Sequence, residues 1–195
     1  SYAISMEYFP SHSLADELDK KMPEDIKRMV TILRDICRGM NAAQNVNVVH
    51  RDLKPANILI DDDDIVKIVD FGLAAAASQM DSRITKTGVL VGTPTYMAPE
   101  QARGEDIDSR TDVYSLGVIM YRIFCGRPPY DEKDPMSTLL KHVEGNAQMP
   151  RTIDENIPEA LEAIIMKAMR TKKEERYQSF AEFGADLDNL LKELG

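Results

Sequence analysis

Tryptophan is absent from this sequence, cysteine occurs only twice, and aromatic residues make up 6% of the chain. Two thiols, Cys37 and Cys125, are too few for a disulfide framework, and no metal-thiolate spacing links them. Both sit among apolar residues with helical spacing, which predicts buried, reduced thiols. Basic residues are also short, with 24 Lys and Arg against 33 Asp and Glu and a net charge of −9. That balance argues against a nucleic-acid or anionic-membrane surface and suits an ordinary solvated one. No apolar run approaches membrane-spanning length, and no signal peptide is recognisable. The segment therefore reads as soluble and cytoplasmic, either by itself or as the cytoplasmic part of a membrane-anchored parent. Repeats and low-complexity runs are lacking as well, so the 195 residues are expected to close around one sizeable core.

What is present is concentrated in the stretch from His50 to Ile60, which reads HRDLKPANILI. It packs a carboxylate, cations and an amide oxygen into one turn. Phosphoryl transfer needs such a set: a carboxylate to orient an attacking hydroxyl and accept its proton, a cation to offset phosphoryl charge, and oxygen ligands for magnesium. Asp52, Lys54 and Asn57 supply these roles in order. The whole signature HRDLxxxN is matched, and an apolar strand, Asn57 to Ile60, follows at once. An acidic turn, Asp61 to Asp64, then leads into a second apolar strand, Ile65 to Val69, and into Asp70-Phe71-Gly72. A hairpin of this kind brings Asp70 back beside Asn57, so two hard oxygen ligands converge. Further on stands the triplet Ala98-Pro99-Glu100.

On these residues the chain resembles the large C-terminal lobe of a serine/threonine protein kinase, from about Tyr2 to the C-terminus. Lys54 and the run Gly92 to Met97 are similar to the serine/threonine branch, and Pro99 to Gly104 resembles its bacterial members. The resemblance implies a mainly α fold with short β-hairpins, of α+β class, with residues 1–195 forming one partial kinase domain (hinge and C-terminal lobe) and residues 70–100 its activation segment. It also implies ATP and Mg2+ as cofactors and protein substrates as partners. Asp52, Lys54, Asn57 and Arg51 are then the catalytic set, with Asn57 and Asp70 on the metal. The backbone of Glu7, Tyr8 and Phe9 would hold the adenine, with Met6 behind it and Leu59 beneath. Thr85 or Thr87 would carry an activating phosphate docked on Arg51, although Ala75 stands where many relatives have a basic residue. Thr93 would position the substrate near Asp52 and Lys54. His50 and Phe71 would stack, Asp112 would accept hydrogen bonds from the backbone around the HRD turn, and Glu100 would pair with Arg176.

Periodicity supplies the scaffold. Residues Tyr2 to Met6 read as a strand and Leu14 to Leu18 as a short helix, with a polar turn between them. Pro23 is placed to open a long amphipathic helix carrying Ile26, Met29, Val30, Leu33, Ile36, Cys37 and Met40 inward. Asp112 to Phe124 reads as a buried central helix ending at Gly126. Pro135 to Val143, with Lys141, reads as a short exposed helix. Leu161, Ile164, Ile165 and Ala168 mark another helix, and the row from Phe180 to Leu191 marks the last.

No glycine-rich G-x-G-x-x-G loop precedes Tyr2, and neither the strand lysine that grips phosphates nor its helix glutamate is found. The expectation is therefore a kinase fragment that is inactive alone, lacks its N-terminal lobe as partner and self-associates through an uncovered apolar face around His50, Phe71 and Leu59. Two other classes fit less well: a noncatalytic kinase-like interaction module, and a phosphotransferase acting on a small molecule.

Overall fold

The long helix α2, Ile26–Asn45, buries Met29, Val30, Ile32, Leu33, Ile36, Cys37 and Met40 along one face. Its first turn is closed by the Asp25 side chain, which accepts from the Arg28 amide at 2.9 Å. The helix thus starts later than the Pro23 opening expected, because Asp25 supplies the cap. The computed structural model describes residues 9–20, 25–71 and 94–195. The expected strand Tyr2 to Met6, Glu7, Tyr8, Pro23, Gly72, Ala75, Thr85, Thr87 and Thr93 lie outside the described residues.

Ahead of α2 come β1, His12–Ser13, and α1, Leu14–Lys20. After it the chain makes a tight turn, Pro55–Asn57, and then the hairpin β2, Ile58–Ile60, and β3, Val66–Ile68. Both strands are shorter than expected, since Asn57 sits in the turn that precedes β2. Among the described residues the sheet has three strands in the order β1-β2-β3, all antiparallel, with Ile58 opposite Ile68, Leu59 opposite Lys67 and His12 opposite Ile60. The edge strand β1 falls where the sequence suggested a polar turn. Ser13 is fastened there by Asp16, which accepts from its amide at 3.0 Å and its hydroxyl at 2.6 Å.

The C-terminal part is helical: α3, Pro99–Arg103; α4, Ser109–Cys125; α5, Pro135–Glu144; α6, Pro150–Ile153; α7, Glu159–Ala168; and α8, Phe180–Glu193. Helix α4 is buried on all sides from Thr111 to Tyr121, as a helix at the centre of a core must be. Gly117 permits its contact with α7, where a methyl group would come within 2.8 Å of the Ala168 Cβ. Helix α2 packs along α8, and α4 packs along α7.

Two expectations need correction. Cys37 is buried, and burial pushes its thiol well above the usual range, but Cys125 at the end of α4 is only half-buried. Helix α5 is not simply exposed: Thr138, Leu139 and His142 are buried beneath it, with the Tyr114 hydroxyl 2.8 Å from His142 Nδ1.

Candidate active site

Residues 50–57 leave the end of α2 and enter β2, and the turn is held from below by a buried carboxylate. Asp112, 1% exposed on α4, accepts from the His50 amide at 2.7 Å and the Arg51 amide at 2.9 Å. Burial pushes its carboxyl up to about 6, while these two hydrogen bonds act against that rise. The His50 ring joins the two arms of the site. Its Nε2 lies 2.8 Å from the Val69 carbonyl, and the Asp52 amide donates to Nδ1 at 3.3 Å. That pairing requires the proton on Nε2. Phe71 meets the same ring with centroids 4.8 Å apart.

The side chains expected to form the catalytic set then fall close together. Lys54 Nζ donates to Asp52 Oδ2 at 2.9 Å, and Asn57 Nδ2 donates to the Asp52 carbonyl at 3.0 Å. Asn57 is 5% exposed, so its amide orientation is set by that bond. On the other arm, the Val69 amide donates to the Asn57 carbonyl at 2.9 Å, which leaves Asp70 one residue beyond the pairing and exposed. Arg51 and Asp70 both adopt left-handed backbone, with φ of 68° and 64°. Such conformations are costly for residues with side chains and persist where the surroundings impose them, often at functional sites.

Phe9 meets the hairpin through Lys67, whose Nζ lies 4.3 Å from its ring centroid. Lys67 is paired across the strands with Leu59, so Phe9 and Leu59 lie at one face of the sheet. His50 is fully buried, and Leu59 and Phe71 are half-buried. Among the described residues, no helix is long and apolar enough to cross a membrane, and no three His, Cys, Asp or Glu side chains converge as a metal cluster.

The triplet at 98–100 anchors the segment leading to α3. Arg176 meets Glu100 through two parallel bonds of 2.8 Å, with the two side chains 0% and 1% exposed. The remaining guanidinium donors reach the carbonyls of Arg110, Arg170 and Thr171, and Thr111 Oγ1 donates to Glu100 at 2.8 Å. Burial would raise the Glu100 carboxyl, yet hydrogen bonds and charge from Arg176 outweigh it, so the carboxyl is lowered.

Sequence reasoning missed Gln101. Its Nε2 donates to the Arg51 carbonyl at 2.8 Å, and its Oε1 accepts from the Ala98 amide at 3.0 Å, tying α3 to the residue before Asp52. Its place directly after Glu100 was the only available signal. Arg122, Tyr96 and Ser115 were missed too. Arg122 Nη1 donates to the Tyr96 hydroxyl at 2.6 Å, and Ser115 Oγ donates to the Tyr96 carbonyl at 2.8 Å.

A family model described as protein kinase domain matches residues 1–185. The serine/threonine-protein kinase PknB of Mycobacterium tuberculosis is 38% identical over 184 residues, covering 94% of this chain and 29% of that protein. PknB of Mycobacterium leprae is 39% identical over 184 residues, with 94% and 29% covered. A probable serine/threonine-protein kinase of Clostridium acetobutylicum is 37% identical over 187 residues, covering 96% and 28%. The chain thus spans less than a third of the length of these relatives. The matched span contains the HRD turn, the hairpin, Asp70 and the Glu100–Arg176 pair, and the chain belongs to the protein kinase domain family.

Proposed function

We propose that this chain carries the catalytic lobe of a serine/threonine protein kinase that transfers the γ-phosphoryl group of ATP to protein hydroxyls. The observation that carries the reading is the Asp52 site: a carboxylate with a lysine ammonium 2.9 Å away and its own backbone braced by Asn57. Asp52 would accept the substrate hydroxyl proton and orient its oxygen. Lys54, already at that carboxylate, would face the charge that builds on the transferred group. Asn57 commits its amide nitrogen to the Asp52 carbonyl, which leaves Oδ1 as the end that a ligand can use. With the exposed Asp70 carboxylate it forms a hard-oxygen donor set of the kind magnesium takes alongside phosphate oxygens. Bound Mg2+ would supply charge neutralisation at the phosphates. Phe9 and Leu59, at one face of the hairpin, would receive the adenine; Glu7 and Tyr8, the other residues expected there, lie outside the described residues. A small lobe bearing the glycine-rich loop and strand lysine would complete the site from the other side.

The test is phosphate transfer by the full-length protein, read by mass spectrometry of a mixed Ser/Thr peptide pool. Phosphoserine or phosphothreonine is expected, and Asn57→Ala should lose activity that high magnesium partly restores. Transfer confined to small-molecule hydroxyls would overturn the protein-substrate reading. An Asn57→Ala loss insensitive to magnesium would remove the metal role.

A further inference from the structure

His142 sits in the last turn of α5 with none of its surface exposed, and its ring is enclosed by three other parts of the chain. Tyr114 of α4 places its hydroxyl 2.8 Å from Nδ1. Tyr130, between α4 and α5, meets the ring edge to face with centroids 4.8 Å apart. On the third side, α5 packs against the turn Pro94–Tyr96.

The placement of the hydrogens follows from burial. Burial pushes the imidazole down to about 4, so at neutral pH the ring is uncharged and carries a single N–H. The Tyr114 phenol is pushed up by the same cause, so it keeps its proton and needs an acceptor. Its one hydrogen-bond partner among the described residues is Nδ1. The ring hydrogen therefore belongs on Nε2, since the other tautomer would leave two buried polar groups unpaired instead of one. Yet Nε2 has no partner, and among the described residues no other buried side-chain nitrogen or oxygen is in that condition. An unsatisfied buried donor carries the full cost of its desolvation and calls for an explanation.

The turn on the third side supplies one. The Thr95 carbonyl bears on the ring and favours its protonated form, although no hydrogen bond is made. Thr95 is the middle residue of a turn held at both ends: the Met97 amide donates to the Pro94 carbonyl at 3.0 Å, and Ser115 Oγ donates to the Tyr96 carbonyl at 2.8 Å. The imidazole is held as well, by the Tyr114 hydroxyl and by the Tyr130 ring. Tyr114 in turn has the Arg176 guanidinium 4.8 Å from its ring centroid. A donor and an acceptor thus face each other across a small gap, each on a braced support.

We propose that His142 is a positioning residue for the peptide substrate: its Nε2 hydrogen is held in reserve for the Thr95 carbonyl, and the bond closes when a peptide settles against the turn before α3. Helix α5 and that turn then act as one body. This inference rests on the protein-kinase reading above and deepens it. It is separate from the reacting groups, because Asp112 faces the HRD turn while Tyr114, two residues on, leaves α4 on nearly the opposite side.

The experiment uses the full-length protein with isotope-labelled histidine and the serine peptide it turns over best, supplied with Ala in place of Ser for binding. The nuclear magnetic resonance signal lost in His142→Phe reports the ring. It should show the Nε2–H tautomer without peptide, and its proton should move downfield when peptide is added. In kinetics, His142→Phe should raise the peptide KM about tenfold, the size of one hydrogen bond to a buried donor, with kcat and the KM for ATP unchanged. His142→Gln still offers an oxygen to Tyr114 and an N–H to Thr95, and should keep the peptide KM of the wild type. His142→Phe also strands the Tyr114 hydroxyl and should lower the melting temperature. Adding Tyr114→Phe should restore the melting temperature but not the peptide KM, whereas a purely structural histidine would bring both back. Should the Phe variants fail to fold, His142→Gln assigns the resonance and the proton shift alone decides. An Nδ1–H tautomer, an Nε2 proton unmoved by peptide or held by a buried water in both states, or a peptide KM that recovers with stability would each overturn the proposal and leave the kinase reading standing. No transfer to any peptide would overturn both.

Discussion

Lys54–Asp52 and Arg176–Glu100 are both pairings of a carboxylate with a basic side chain, at 2.9 and 2.8 Å, yet they occupy opposite environments. The first pair is 41% and 32% exposed, and the second is 0% and 1% exposed. In the first, water screens the charges, so little folding energy depends on them. In the second, every guanidinium donor is used by Glu100 or by backbone carbonyls, and nothing is left for a ligand. On the proposed function one geometry would serve chemistry while the other serves the frame, and burial separates the two.

The strongest way to break this contrast is through chemistry. Asp52→Asn should reduce phosphate transfer by about 10²–10⁴-fold in the full-length protein, as expected for a positioned acid/base. Its melting temperature should stay near that of the wild type. Radiolabelled transfer assays and calorimetry measure the two halves, and near-native turnover would remove Asp52 from its role.

Arg176→Ala should do the reverse. Stranding Glu100 in the core should cost about 3–5 kcal/mol. Urea denaturation monitored by circular dichroism measures it, and a loss below about 1 kcal/mol would mean that the pair is no lock at all.

A third pair of intermediate exposure sharpens the comparison by pH. The Arg110 guanidinium hydrogen-bonded to Asp108 holds that carboxyl down at about 2 from its ordinary 3.8. Because the folded value is the lower one, this contribution is fully present above pH 3.8 and is lost as pH falls toward 2. Asp108→Asn keeps a capping side chain for α4 but has no carboxylate to titrate. Its stability should therefore decline less steeply than that of the wild type between those values. Thermal melts across an acid series give the slope, and parallel curves would deny the linkage.

The smallest effect is expected for the stability of Lys54→Ala. An exposed pair of this kind contributes about 0–1 kcal/mol, so its urea midpoint should scarcely move even as transfer collapses. A large shift would show that the Lys54–Asp52 pair also holds the fold.

The HRD turn was legible because its parts are consecutive. Residues 50–57 need only one tight turn to bring Asp52, Lys54 and Asn57 within hydrogen-bonding reach. Helix faces were legible for the same local reason: a 3.6-residue period marks α2 and α8 whatever they pack against. Errors arose where a neighbour distant in sequence was decisive. Helix α5 read as exposed because Tyr114, 28 residues before His142, could not be foreseen as the partner that draws the imidazole inward. Strand β1 was missed because two residues carry almost no periodic signal, and only β2 makes them a strand.

By itself, then, the amino-acid order determined the residue types at the proposed reaction centre, the turn that gathers them and the apolar stripes that build a helical core. These depend on contacts a few residues apart, where backbone geometry leaves few choices. The Glu100–Arg176 lock could be named by resemblance, but its two parallel bonds and its burial came from the fold. Gln101 at the Arg51 carbonyl and the Asp19–Arg122–Tyr96 junction were decided by tertiary structure alone. Arg122 meets Asp19 across 103 residues of sequence, and no period or motif encodes such a meeting. It follows from how α1, α4 and the turn before α3 settle against one another when their apolar faces are buried.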